Sequence, residues 1–231
     1  MSDWTSLHRA IIQLMIGRGS LQVSEFTEIF QGLKTLYSDQ EGVPSATEEI
    51  VVEKINENLE KFSLSIVRTK YEYTDEEFYV FVARIQSPEA KFQNLYTEAE
   101  IQFFPLLLKE IITSDDLCIS PIQALNLIPK LQKPVTKTRA GEILKAWITA
   151  GYFQNIDEML HLGPRTLVEF NGYLTVQYSD YVKTCVICKN TVYKVLSCKS
   201  SSCSASAHGH CLDRYHENFP NICPECKEEW A

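Results

Sequence analysis

Apolar residues recur every three to four positions in three stretches near the start of the chain. In residues 3–17 (DWTSLHRAIIQLMIG) they alternate with polar residues at helical spacing, which predicts a helix capped by Ser2 or Asp3 and stopped at Gly17 and Gly19. Ser24 opens SEFTEIFQGLKTLY, where Phe26, Ile29, Phe30, Leu33 and Leu36 share one face, and Thr47 opens TEEIVVEKINENLEKF with Ile50, Val51, Ile55 and Leu59. The period then shortens. LSIVRTKYEY and EFYVFVARI are rich in β-branched and aromatic residues and are joined through Thr74, Asp75, Glu76 and Glu77, which reads as a β-hairpin.

The order of elements repeats further along, without evident sequence identity between the copies. EAEIQFFPLLLKEIIT is helical with Pro105 as a kink or register break; Ser120-Pro121 opens SPIQALNLI as N-cap and first helical residue; Thr136 opens TKTRAGEILKAWITAG, which Gly151 ends. LHLGPRTLVEF and GYLTVQY, with Asn171-Gly172 as the turn, are expected to form the second hairpin. Three helices and a hairpin describe a winged helix, and two of them in tandem are expected, over residues 1–94 and 95–178. Residues 179–231 do not follow this pattern.

Cysteine separates that last segment. Of eight cysteines, seven fall between residues 185 and 226 and only Cys118 lies elsewhere, which is the clustering of a metal site rather than of a disulfide framework. The order is Cys185-x-x-Cys188, nine residues, Cys198, four residues, Cys203, four residues, His208-x-x-Cys211, eleven residues, Cys223-x-x-Cys226. Seven thiolates and one imidazole make two tetrahedral zinc sites with nothing left over. The two-residue gap lets both side chains meet one ion while intervening backbone N–H groups donate to sulfur. His208 has that gap to Cys211, whereas His210 is adjacent to it and would need a strained chelate, so His208 is the expected ligand.

Two pairings are open on spacing: sequential, as in separate fingers, or interleaved, with Cys185 and Cys188 joined to His208 and Cys211, and Cys198 and Cys203 joined to Cys223 and Cys226. Interleaving is favoured because it ties the whole short segment into one unit. A segment this short cannot easily bury a sufficient core, and structural zinc supplies on the order of 10 kcal/mol per site. Every position of both ions is filled by protein, so the two zinc ions are expected to be structural and to activate no water.

Composition narrows the remaining classes. Hydrophobic residues make up 45% and aromatic residues 11% of the chain, enough to bury real cores. With no run of about 18 apolar residues and no charged-then-apolar leader, the chain is expected to be intracellular, with no membrane association. Its net charge is −8; of its 22 Lys/Arg and 30 Asp/Glu, six and five fall in residues 181–231, so the acidic excess lies in the part before them and opposes general attraction to phosphate backbones. Locally, Lys130, Lys133, Lys137, Arg139 and Lys145 cluster around the third helix of the second copy, where a weak DNA contact is possible.

The ligand order, four Cys, one His, three Cys, resembles the RING and PHD class of cross-braced zinc modules. PHD fingers usually carry Trp two residues before the last Cys pair; Asn221 stands there. On the RING side, Ile187 between the first ligands, Pro224 in Cys-Pro-Glu-Cys and Lys227 after the last ligand match positions that contact a ubiquitin-conjugating enzyme and ubiquitin. The whole chain, through this ligand order, Leu162-Gly163-Pro164-Arg165 and the terminal Trp230, resembles the family of non-structural maintenance of chromosomes element 1 homologs. That resemblance implies an α+β fold of tandem winged-helix domains followed by a RING-like two-zinc module at residues 179–231. It further implies a nuclear, chromosome-associated protein acting in DNA repair by recombination. Its expected partners are a MAGE-family subunit, held through the winged helices, and a kleisin subunit, with ubiquitin ligase activity promoted by the MAGE partner. Phe78, Phe81 and Leu95 are expected in the MAGE interface. The competing reading is a structural adaptor whose zinc module only docks a partner; His as fifth ligand and the short loop from Lys189 to Ser197 favour it.

Overall fold

The computed structural model describes residues 4–84 and 87–230. They form two compact units: one runs up to Lys70 and resumes over Glu76–Phe170, and the other joins Tyr71–Asp75 to the chain from Asn171 onward. The expected caps Ser2 and Asp3 lie outside the described residues.

In the first unit the opening elements are α1 (Ser6–Arg18), β1 (Ser20–Gln22), α2 (Val23–Leu36), α3 (Glu48–Leu59), β2 (Leu64–Lys70) and β3 (Glu77–Ala83). Helical spacing brings Leu7, Ile11 and Met15 of α1, Phe26 and Phe30 of α2, and Val51, Ile55 and Leu59 of α3 into one buried core with Ile66 and Tyr79 of the strands. Ser24 lies inside α2 rather than capping it, because the chain turns into the helix directly from β1. Thr47 caps α3 as expected, its hydroxyl accepting from the Ile50 N–H at 3.4 Å. The sheet order is β1-β3-β2, all antiparallel.

The second set repeats this arrangement: α4 (Pro88–Phe92), α5 (Glu98–Ile112), β4 (Cys118–Ile119), α6 (Pro121–Leu125), α7 (Lys137–Thr149), β5 (Phe153–Ile156) and β6 (Met159–Leu162), with sheet order β4-β6-β5. In both sheets the strand nearest the start of the chain pairs with the last, which is the winged-helix connectivity. Trp147 is the centre of the second core. Phe104 meets it edge-on with ring centroids 4.9 Å apart, and Phe92 packs on Phe104 at 4.8 Å. Pro105 removes one backbone donor from α5, yet the helix continues to Ile112, since Phe103, Phe104, Leu107, Leu108 and Ile111 around it are all buried.

The second hairpin differs from the expectation. Its turn is Asp157-Glu158, both residues at positive φ (49° and 64°), so that Ile156 pairs with Met159. Pro164–Glu169 is α8 and Asn171–Gln177 is α9, neither of them a strand. Buried Leu167, Phe170 and Leu174 recur at three- and four-residue intervals, and that helical spacing outweighs the β-formers around them.

Within the first unit α8 joins the two winged helices. Gly19 has φ +73°, and a Cβ there would lie 2.4 Å from the Ala150 carbonyl oxygen. Gly19→Ala therefore meets both a left-handed backbone and an immovable acceptor, and a loss of about 1–3 kcal/mol is expected in the denaturant midpoint. A midpoint equal to the parent's would show that the approach relaxes freely.

The second unit holds α9, four two-residue strands, β7 (Lys183–Thr184), β8 (Thr191–Val192), β9 (Leu196–Ser197) and β10 (Ser206–Ala207), and α10 (Gly209–His216). β7 pairs with β8 and β9 with β10. Around the cysteines the buried cluster consists of Cys185, Val192, Cys198, Ala205, Ala207, Leu212, Cys223 and Trp230. Three are cysteines and two are alanines, too little apolar volume to hold this part of the unit without another source of stability. Among the described residues no helix is long and apolar enough to cross a membrane.

Candidate metal centre

Two stretches of the second unit share one local design. After each Cys-x-x-Cys pair comes a residue at positive φ, Lys189 (64°) and Lys227 (65°), whose backbone N–H returns to the carbonyl of the first cysteine, Cys185 at 2.9 Å and Cys223 at 3.2 Å. Both lysine side chains then donate to the carbonyl two residues before the second-cysteine turn closes: Lys189 to Val186 at 2.8 Å and Lys227 to Pro224 at 2.9 Å. The Cys185 and Cys223 N–H groups are taken by Asn190 and Glu228 carbonyls, both at 2.8 Å. In the first of these tight turns the Val186 N–H is taken by the Ser206 carbonyl at 2.9 Å while the Ile187 and Cys188 N–H groups face the Cys185 sulfur, and in the second the Glu225 N–H reaches Cys223 Sγ at 3.4 Å.

The structure brings the eight candidate side chains into two groups, Cys185, Cys188, His208 and Cys211, and Cys198, Cys203, Cys223 and Cys226, with the ligand atoms of each group within 4.8 Å of one another. The grouping is interleaved along the chain. Cys198 and Cys226 sulfurs lie 3.8 Å apart and Cys203 and Cys223 sulfurs 3.9 Å. Disulfide sulfurs would be about 2.05 Å apart. The edge of a tetrahedron with bonds of about 2.3 Å is about 3.8 Å, so the all-sulfur group has the dimensions of a zinc site. In the mixed group His208 Nδ1 lies 3.4 Å from Cys188 Sγ and 3.8 Å from Cys211 Sγ, bracketing the S···N edge of about 3.6 Å for such an ion.

The ring orientation of His208 follows from its other nitrogen. Nε2 donates to the Thr191 carbonyl at 2.9 Å, which leaves the Nδ1 lone pair directed at the sulfurs. His210 stacks on the His208 ring, centroids 5.0 Å apart, and belongs to neither group. The electrostatics also fit a cation. Burial opposes ionisation of Cys185, but the N–H groups of Cys188, His208 and Ile187 outweigh it and bring the thiol down to about 6. Cys211 is driven up to about 12 by burial and then by the negative charge of Cys185. Sulfurs this close cannot all ionise unless a positive ion joins them.

The other site residues are placed less uniformly. Ile187 is half-buried and packs on the module's core; Pro224 is half-buried and Lys227 exposed. Phe78 and Phe81 are buried, so only Leu95, 68% exposed, offers an apolar surface among the three residues expected at an interface. The basic cluster of the second winged helix is largely neutralised. Lys130 pairs with Glu110, Lys133 with Glu98, and Arg139 with Glu100 at 2.6 Å and Glu142 at 3.3 Å; Lys137 and Lys145 are exposed. Glu72 is a residue of the site that sequence reasoning missed: its carboxylate lies 3.4 Å from His208 Nε2. It stands in the expected first hairpin, more than a hundred positions before its partner, and no spacing rule joins the two.

Residues 8–170 match the family model described as Nse1, non-SMC component of the SMC5-6 complex. The chain belongs to the Nse1 family. A curated Nse1 relative, the non-structural maintenance of chromosomes element 1 homolog of Drosophila melanogaster, is 32% identical over 81% of this chain and 80% of its own length. The Homo sapiens homolog is 25% identical over 100% of this chain and 86% of its own. Among solved structures, a chain of an Nse1-Nse3-Nse4 complex superposes with a TM-score of 0.80 over 100% of this chain and 98% of that one, at 22% identity, which establishes the Nse1 fold. The family model ends at the boundary of the first unit, so the metal groups of this Nse1-family chain stand on their own geometry.

Proposed function

We propose that this protein is the zinc-bearing Nse1 subunit of a nuclear, chromosome-associated SMC5-6 complex acting in DNA repair by recombination, and that its last domain is a RING-type ubiquitin ligase module. The division into winged helices at 1–94 and 95–178 and a zinc module at 179–231 belongs to this reading, as do an Nse3-type MAGE subunit and an Nse4-type kleisin as partners, and two structural zinc ions as cofactors. The observation that carries it is the interleaved pair of ligand groups, in which protein supplies all eight ligands. Such a module has no open coordination position, so its chemistry must be that of a surface: it orients a charged conjugating enzyme and supplies neither nucleophile nor base.

The surface around Ile187, Pro224 and Lys227 supports that role, with one adjustment. Ile187 is half-buried rather than fully exposed, so it offers part of its side chain to a partner and part to its own core. This partial burial is also what favours the adaptor reading, in which the module docks a partner subunit and catalyses nothing. Direct DNA contact is a minor contribution in either reading, because phosphates would have to displace Glu98, Glu100 and Glu110 from the basic residues.

Ubiquitin discharge from a panel of charged conjugating enzymes, with and without the MAGE partner, separates the readings. Ile187→Ala is expected to cut stimulated discharge roughly tenfold or more, since about 1.5–3 kcal/mol accompanies burial of such a side chain. Zinc content measured on the same sample should remain at two ions. Wild-type discharge in both Ile187→Ala and Lys227→Ala would favour the adaptor.

A further inference from the structure

The turn between β2 and β3 belongs to the second unit and is built into it around one carboxylate. Tyr71 is 1% exposed, and the Asp75 N–H closes the turn on the Tyr71 carbonyl at 2.8 Å. This presents Glu72, whose side chain is only 10% exposed, to the chain that follows β8. One carboxylate oxygen accepts from two successive backbone N–H groups, Tyr193 at 3.1 Å and Lys194 at 2.9 Å. The other lies 3.4 Å from Nε2 of His208, whose N–H it shares with the Thr191 carbonyl at 2.9 Å. The Tyr193 hydroxyl donates to Asn171 Oδ1 at 2.8 Å, so residues on both sides of this contact are held.

A surface loop would not bury a carboxylate for so few partners. Removing a charge from water is costly unless hydrogen bonds and an opposite charge compensate, and among the described residues no lysine or arginine side chain is paired with Glu72. Its compensation comes from two N–H dipoles and the outer nitrogen of a metal-ligand candidate. A metal-bound imidazole becomes more acidic at its far N–H, and a carboxylate beside that N–H holds the ring and strengthens the inner nitrogen as a donor. The all-cysteine group has no counterpart to this contact among the described residues.

We infer that Glu72 is a positioning residue for the mixed Cys3His zinc site, contributed by the wing turn of the first winged helix, so that zinc in this site and the ordering of residues 71–75 depend on each other. This rests on the reading that the mixed group holds zinc. The all-cysteine site is independent of the wing turn, which makes the two ions unequal: one is retained by the module alone and the other only while the turn is docked.

The test uses the full chain carrying two cadmium ions in place of zinc, because cadmium NMR gives separate resonances for three-sulfur-one-nitrogen and four-sulfur sites. Competition with a chelator should strip the mixed site of Glu72→Ala about ten- to a hundredfold more readily than that of the parent, the range usual for loss of such an outer partner, and leave the four-sulfur resonance unchanged. Glu72→Gln retains an oxygen for the Tyr193 and Lys194 N–H groups but loses the charge, and should fall between. A parent that takes up fewer than two ions would overturn the zinc reading itself. Two ions with parental retention at the mixed site, or equal loss at both sites, would overturn the role of Glu72 alone. If Glu72→Ala does not fold, the parent chain decides: stripping the mixed site should raise hydrogen exchange at the Asp75 amide, and an unchanged rate there contradicts the coupling.

Discussion

Replacing His208 with alanine is expected to leave the chain with one zinc ion instead of two and to unfold its last segment, while His210→Ala keeps both ions and the fold. His208 Nδ1 points at Cys188 and Cys211, and its Nε2 is committed to the Thr191 carbonyl. His210 belongs to neither group, and Cys211 next to it already supplies its own sulfur. The buried cluster around the cysteines is small and five of its eight members are ligands or alanines, so losing about 10 kcal/mol of metal binding exceeds what such a segment can absorb. Because the groups interleave, exchange protection should fall across residues 185–226 even though the all-cysteine group keeps its ion. Elemental analysis with hydrogen exchange over residues 185–226 checks both parts. The first unit has its own buried core, with Leu7, Ile11, Phe26, Phe30 and Ile55 in one cluster, so its helical circular dichroism should persist. Loss of an ion from His210→Ala with retention in His208→Ala would reverse the assignment.

The second large effect is expected at Glu169, whose side chain is 0% exposed. One oxygen accepts from the Ala83 N–H at 2.9 Å and from Lys91 Nζ at 2.7 Å; the other accepts from Arg165 Nε at 3.2 Å. Arg165 in turn lies over the Tyr152 ring at 4.5 Å. Ala83 belongs to β3, Lys91 to α4, and Arg165 and Glu169 to α8, so one carboxylate ties the first winged helix to α8 inside the first unit. Glu169→Ala leaves two cations with little solvent and one backbone N–H without its acceptor. A loss of about 3–5 kcal/mol is expected, of which Glu169→Gln should recover part through its remaining acceptor oxygen. Denaturant unfolding of the full chain followed by helical signal measures it. A change under about 1 kcal/mol would mean that water already reaches the cluster.

Much of this architecture could be read before any coordinates. Helices announce themselves because a 3.6-residue period must place Leu7, Ile11 and Met15, or Val51, Ile55 and Leu59, on one face, and the caps at Thr47, Ser120 and Thr136 are local hydrogen bonds between near neighbours. Ligand chemistry is local too. Two-residue spacing selects His208 over His210, and the count of eight donors leaves room for two ions and no catalytic water. Where local signals competed, the reading failed: Leu162 to Gln177 contains enough β-formers and an Asn-Gly pair to suggest a hairpin, but the buried Leu167, Phe170 and Leu174 face makes it α8 and α9.

The sequence by itself determined the period of each element, the donor set of the metal groups and the acidity that disfavours a phosphate partner. Only the tertiary structure decided which distant side chains meet. Glu72 and His208, or Ala83 and Glu169, are joined by hydrogen bonds whose partners carry no mutual spacing signal, since a carboxylate in a turn reads the same whether it faces water or a buried imidazole. The basic cluster near Lys130 shows the same limit, because its charge is countered by Glu98, Glu100 and Glu110 from another helix. Coulomb energy depends on distance in space and on local burial, and neither is a function of position along the chain.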